Sequence, residues 1–113
     1  MNTQINYTNE AIAKRIDNLI LEGSEKQVNW AKKIIGGYIY TLAMYLEKLD
    51  RVMESNKETE EHKELLKKSI EKAFTPTNAS FVIDKRDGFE RITNAMGLKM
   101  TKYLKTKTVL IKN

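Results

Sequence analysis

Val28, Ala31, Ile35, Tyr38, Leu42, Tyr45, Leu49 and Val52 follow one another at alternating spacings of three and four, without a fault. A run of about three and a half heptads puts all its apolar residues on one side of a helix and scatters them over any other backbone. Ile39, Leu46 and Met53 add a flanking stripe one position after d. Gly36-Gly37 sits inside the run, at a cost of about 2 kcal/mol relative to two alanines in a helix. A turn there would leave the heptad phase no reason to match on both sides. One helix over about 25–54 is therefore expected, with the glycines marking a place where another backbone approaches closely. A kink at the pair is the alternative. Ser24 and Gln27 have the spacing of a capping box, in which each side chain satisfies a free donor at the helix start.

Shorter helical patterns flank this one. Ile12, Ile16, Leu19 and Ile20 predict a helix over about 9–22, with Thr8 as N-cap and Gly23 as the left-handed terminating residue. Leu65, Leu66, Ile70, Ala73 and Phe74 predict another over about 57–74, capped by Ser55 and Glu58 and stopped by Pro76. Asn78 can cap a short helix through Ala79, Val82 and Ile83. The alternative pairs 81–83 with 109–111 as a minor two-stranded β element, since both triplets are rich in β-formers. Asp87 and Glu90 form a third capping pattern, opening a last helix to about 104 through Phe89, Ile92, Met96, Met100 and Tyr103, followed by a basic tail. The expected fold is all-α: one domain over 1–113, a small helical bundle around one long central helix. The heptad face would serve either as the bundle core or, on that face or the one beside it, as the seam of a homodimer.

Charge is unevenly distributed. Residues 1–84 carry twelve basic and thirteen acidic side chains, whereas residues 85–113 carry eight basic and two acidic. No Asp or Glu follows Glu90, so the whole net charge of +5 belongs to one end. Such an end suits a polyanion or an acidic protein surface. Arg91, Lys99, Lys102, Lys105, Lys107 and Lys112 are the candidate contacts to nucleic acid, each adding about 0.9 to the salt slope if it meets a DNA phosphate. The competing reading is a solvated basic face, although such faces normally mix both signs. Trp30, beside Lys32 and Lys33 and off the heptad seam, is the candidate aromatic contact. The segment 92–104 also has the outline of a helix-turn-helix, with Gly97 as the turn glycine.

The composition excludes several chemistries. With no cysteine and one histidine, disulfides and thiolate metal centres are excluded. His62, within Glu60-Glu61-His62-Lys63-Glu64, reads as part of a solvated helix face and less well as a general base. Asp84, Asp87 and Glu90 would make a metal-dependent nuclease only by giving up capping and local pairing. No phosphate loop, nucleophile motif or cofactor motif is present. The expectation is a non-enzymatic binding protein without cofactor. Residues 1–9 lack the apolar run of a secretory signal, and no run approaches the roughly 18 residues of a membrane span, so a cytoplasmic setting without membrane contact is expected.

Two stretches carry a resemblance. Gly23-Ser24-Glu25-Lys26-Gln27-Val28-Asn29-Trp30-Ala31-Lys32-Lys33-Ile34 and Ala79-Ser80-Phe81-Val82-Ile83-Asp84-Lys85-Arg86-Asp87 resemble two blocks of small phage and mobile-element proteins of Gram-positive bacteria. That group often has tryptophan near Val82 and asparagine at Lys85. The resemblance implies a phage or mobile-element setting and no particular activity. Small phage proteins without enzyme motifs are commonly DNA-binding accessories or inhibitors of host defence complexes. The functions expected are thus nucleic-acid or nucleoprotein binding through the basic end, or anti-CRISPR-like inhibition by docking on a host nuclease.

Overall fold

The computed structural model describes residues 7–52 and 57–112, with side chains described for 7–51 and 57–101. Among the described residues five helices follow one another: α1 (Asn9–Asp17), α2 (Glu25–Val52), α3 (Lys57–Ala73), α4 (Ala79–Asp84) and α5 (Arg86–Lys112). α2 runs unbroken through Gly36-Gly37. Its a and d residues supply the centre of the core: Ala31, Ile35, Tyr38, Leu42 and Leu49 are buried, as are Ile39 and Leu46 of the flanking stripe. α1, α3, α4 and α5 each pack against α2, and among the described helices the only other pair whose backbones meet is α4 with α5. The heptad face therefore supplies this chain's own core, buried within the single chain.

Local chemistry explains the helix starts. Thr8 accepts from the Ala11 amide at 3.2 Å. Ser24 and Gln27 form the reciprocal capping box, Gln27 N to Ser24 Oγ at 3.2 Å and Ser24 N to Gln27 Oε1 at 3.1 Å. The pattern at Ser55 falls outside the described residues. Asn78 Oδ1 accepts from the Ser80 amide at 2.9 Å and the Phe81 amide at 3.4 Å, which starts α4.

Several expectations are corrected. α1 ends at Asp17 with Asn18 as its cap, so Gly23 terminates no helix. Gly23 lies instead in the link to α2 at φ +148°, where an added Cβ would stand 3.1 Å from both Ala79 Cβ and Gln27 Oε1. Beside it, Glu22 and Asn78 form an isolated parallel bridge: Glu22 N donates to Thr77 O at 2.8 Å, and Ala79 N to Glu22 O at 2.9 Å. The β element of 81–83 with 109–111 does not form, since those residues lie in α4 and α5. Asn78 capping and the burial of Ala79, Val82 and Ile83 at helical spacing decide for helix. Asp87 starts no helix; it lies in the first turn of α5, which grows almost directly out of α4 at an elbow on Lys85. Backbone groups meet the elbow's needs, with Lys85 N donating to the Phe81 and Val82 carbonyls and Phe89 N to the Lys85 carbonyl.

Gly97 is not a turn residue either. α5 is continuous from Arg86 to Lys112, which removes the helix-turn-helix and makes the expected tail 105–112 helical. Gly97 is small for another reason: a Cβ there would lie 2.8 Å from the Tyr45 hydroxyl of α2. The two paired glycines differ from it. A Cβ on Gly36 would make ordinary contacts with Ile16 and Tyr40, and one on Gly37 would meet nothing within 4 Å. Among the described residues, no other backbone approaches the pair this closely.

On α3 the inward stripe is Thr59, His62, Leu66, Ile70 and Ala73, while Leu65 turns outward. α1 is held to α3 by a bidentate ion pair, Arg15 to Glu71 at 2.8 and 2.7 Å, with the Tyr7 hydroxyl donating to the same carboxylate at 2.8 Å. The Arg15 guanidinium also lies 4.0 Å from the centre of the Phe74 ring. Hydrogen bonding from Arg15 holds the Glu71 carboxyl below its usual range, and burial together with Glu71 pushes Tyr7 up to about 12.

Candidate nucleic-acid interface

α5 presents the basic end as one rod. Its inward side is Phe89, Met96 and Met100, packed on α2. Its outward side carries Arg91 and Leu98, both exposed. At about 3.6 residues per turn, Lys102, Lys105 and Lys112 fall in the same longitudinal row as Arg91. Lys107 falls in the row of Phe89 and Met96, and Lys99 on the flank nearest α3, where its charge reaches His62. The side chains of Lys102, Lys105, Lys107 and Lys112 lie outside the described residues. The structure thus gathers Arg91 with Lys102, Lys105 and Lys112 by register and sets Lys99 and Lys107 apart.

Trp30 is half exposed, at 48%. Its cationic neighbour is not Lys32, which reaches back to donate to the Asp17 carbonyl at the end of α1 at 3.2 Å. The neighbour is Arg86 at the elbow, whose guanidinium lies 5.4 Å from the indole centre and donates to the Ile83 carbonyl at 2.9 Å. One residue earlier, the Lys85 ammonium lies 5.7 Å from the centre of the exposed Phe81 ring. The two stretches quoted for the phage resemblance therefore meet in space. Gly23 abuts Ala79 and Trp30 faces Arg86, and just before each stretch Glu22 bridges Asn78. Neither Arg86 nor Phe81 stood among the sequence candidates, because nothing local to either residue points to the start of α2.

His62 corrects the sequence reading most sharply. It is 3% exposed and sits on the inward side of α3. Burial and the positive charge of Lys99 both lower its pKa, so the imidazole is held neutral. The unfolded chain binds a proton near the ordinary value of about 6.5 and the folded chain resists it. Stability is fully present above that value and falls as pH drops below it, towards the depressed folded value. His62 is the only histidine. Urea midpoints measured from about pH 7.5 to 5.5 should therefore decline in the native chain and stay level in His62→Gln. Equal declines in both would remove His62 as the cause.

Among the described residues, no three His, Asp or Glu side chains gather as a metal site requires. Among the same residues, no helix is long and apolar enough to cross a membrane. A groove of about 1100 Å³, wide open, runs between α2 and α3 past Tyr40, Met44 and Lys67. No protein-family model, curated protein or solved structure matches the chain.

Proposed function

We propose that this is a non-enzymatic binding protein, of phage or mobile-element origin and acting in the cytoplasm, that contacts nucleic acid or a nucleoprotein along the outer row of α5. One observation carries the reading: the acid-free stretch after Glu90 lies on a single unbroken helix, which turns a compositional bias into a straight basic row beginning at Arg91. Charge of one sign along one side of a helix suits a phosphate backbone better than charge scattered over a surface does. No cofactor is needed for such a role.

The test is a titration of labelled single- and double-stranded oligonucleotides from about 50 to 200 mM salt. Affinity should fall steeply with salt. The triple variant Arg91→Ala/Lys102→Ala/Lys105→Ala should bind at least about tenfold more weakly, with a salt slope shallower by about one unit for each phosphate no longer neutralised. Absence of binding at the lowest salt sinks the proposal.

A second reading has its own observation. Leu98 stands in the Arg91 row at 75% exposure, an apolar anchor amid cations that fits a protein surface better than a phosphate chain. On this reading the chain is an anti-CRISPR-like inhibitor docking on a host nuclease. It would leave bare nucleic acid alone, and Leu98→Glu would abolish capture of the nuclease.

A further inference from the structure

Two aromatic rings at the elbow between α4 and α5 stay half in solvent. Trp30 is 48% and Phe81 50% exposed, although the next residue along the chain, Ala31 or Val82, is fully buried. Each ring has a cation beside it, Arg86 for Trp30 and Lys85 for Phe81. The Arg86 guanidinium is also fixed by its hydrogen bond to the Ile83 carbonyl, so indole and cation are already held in place in the free chain.

Charge selects what these rings can take. Residues 84–90 hold two basic and three acidic side chains, in contrast to the acid-free stretch that starts at Arg91. The elbow therefore has no excess positive charge with which to gather phosphates, and its cations lie beside rings instead. A flat, uncharged π-system suits such a surface, and a nucleobase stacks on aromatic rings and guanidinium planes alike. Arg86 and Arg91 are five residues apart on α5, about 7.5 Å along the axis and about 140° around it. The elbow thus lies beside the head of the basic row, where a base can lie while the phosphates follow the row. Bases in a duplex stack on one another and offer only their edges, so the base has to be unpaired.

We infer that the elbow is a base-stacking site for single-stranded nucleic acid, with Trp30 and Phe81 as platforms and Arg86 and Lys85 as their flanking cations. The inference rests on the nucleic-acid reading of α5 and narrows it to strands with unpaired bases.

Trp30 is the only tryptophan, so the intrinsic emission of the full chain reports on it alone. A single-stranded oligothymidylate should quench that emission saturably. An abasic oligomer of equal length and a blunt duplex should bind along α5 and leave it unchanged. Trp30→Ala and Phe81→Ala, both at exposed positions and both checked for folding by circular dichroism, should weaken single-strand binding by about tenfold in anisotropy titrations of labelled oligomers. Their salt slopes and their affinity for the abasic oligomer should match those of the native chain, since no phosphate contact is lost. Three results would overturn the inference. Saturation by the single strand at constant emission would reject the elbow and leave the α5 row standing. So would equal losses of affinity for single-stranded and abasic oligomers in both variants. A chain that binds none of the three probes at low salt would remove the elbow and the α5 row together.

Discussion

Gly23→Ala is expected to lower unfolding stability by about 2–3 kcal/mol. Two costs combine. Gly23 sits at φ +148°, a region that residues with a Cβ rarely enter. The new methyl would also stand 3.1 Å from Ala79 Cβ, and Ala79 is fully buried at the start of α4. Relief requires either turning the link, which pulls on the Glu22–Asn78 bridge, or pushing α4 off α2. Gly37→Ala is the internal control. It meets nothing and gains helix propensity, so it should stabilise by up to about 1 kcal/mol. Urea unfolding of both variants reads the difference as opposite shifts in midpoint at unchanged slope. A neutral Gly23→Ala would mean that the link relaxes freely and does not hold α4 in place.

Tyr38→Ala should cost more, about 3–5 kcal/mol. Tyr38 is buried on α2, its ring centre 4.8 Å from that of Phe89 on α5, and its hydroxyl lies close enough to Ser69 of α3 to feel that side chain. One side chain thus joins three helices, and the described backbones of α3 and α5 do not meet to compensate for its removal. Tyr38→Phe keeps the ring and removes only the hydroxyl, at no more than about 1 kcal/mol. Thermal or urea unfolding of the pair separates ring packing from the hydroxyl's contribution. Equal destabilisation in the two variants would contradict the packing account.

What could be read from the chain was whatever neighbouring residues decide among themselves. The heptad phase crosses Gly36-Gly37 because one buried face has to stay in register, and α2 is indeed continuous there. Ser24, Gln27, Thr8 and Asn78 announce helix starts because capping is a matter of three or four residues. Long-range packing could not be read in this way. Gly97 looked like a turn glycine, yet its size answers to Tyr45 on another helix. His62 looked solvated amid Glu60, Glu61 and Glu64, but the phase of α3 against α2 turns it inward with Thr59 and Leu66. The same phase exposes Leu65. Of the candidate interface, the basic composition of the last helix was legible and its continuity to Lys112 was not. The pairing of Trp30 with Arg86 depends on how α4 docks on α2, which neither residue's surroundings disclose.

The arrangement of four helices around α2 bears on how the molecule comes apart. α1 is tied to the rest by its face on α2 and the Arg15–Glu71 pair, and its backbone stays clear of the described parts of α3, α4 and α5. Detaching it exposes Ile12 and Ile16 and leaves the other satellites seated. α3 and the α4–α5 arm can likewise leave separately, each in its own opening reaction. α2 is the one element that every such partial opening still leaves packed, so its amides near Ile35, Ile39 and Leu42 should be the last to exchange with solvent deuterium.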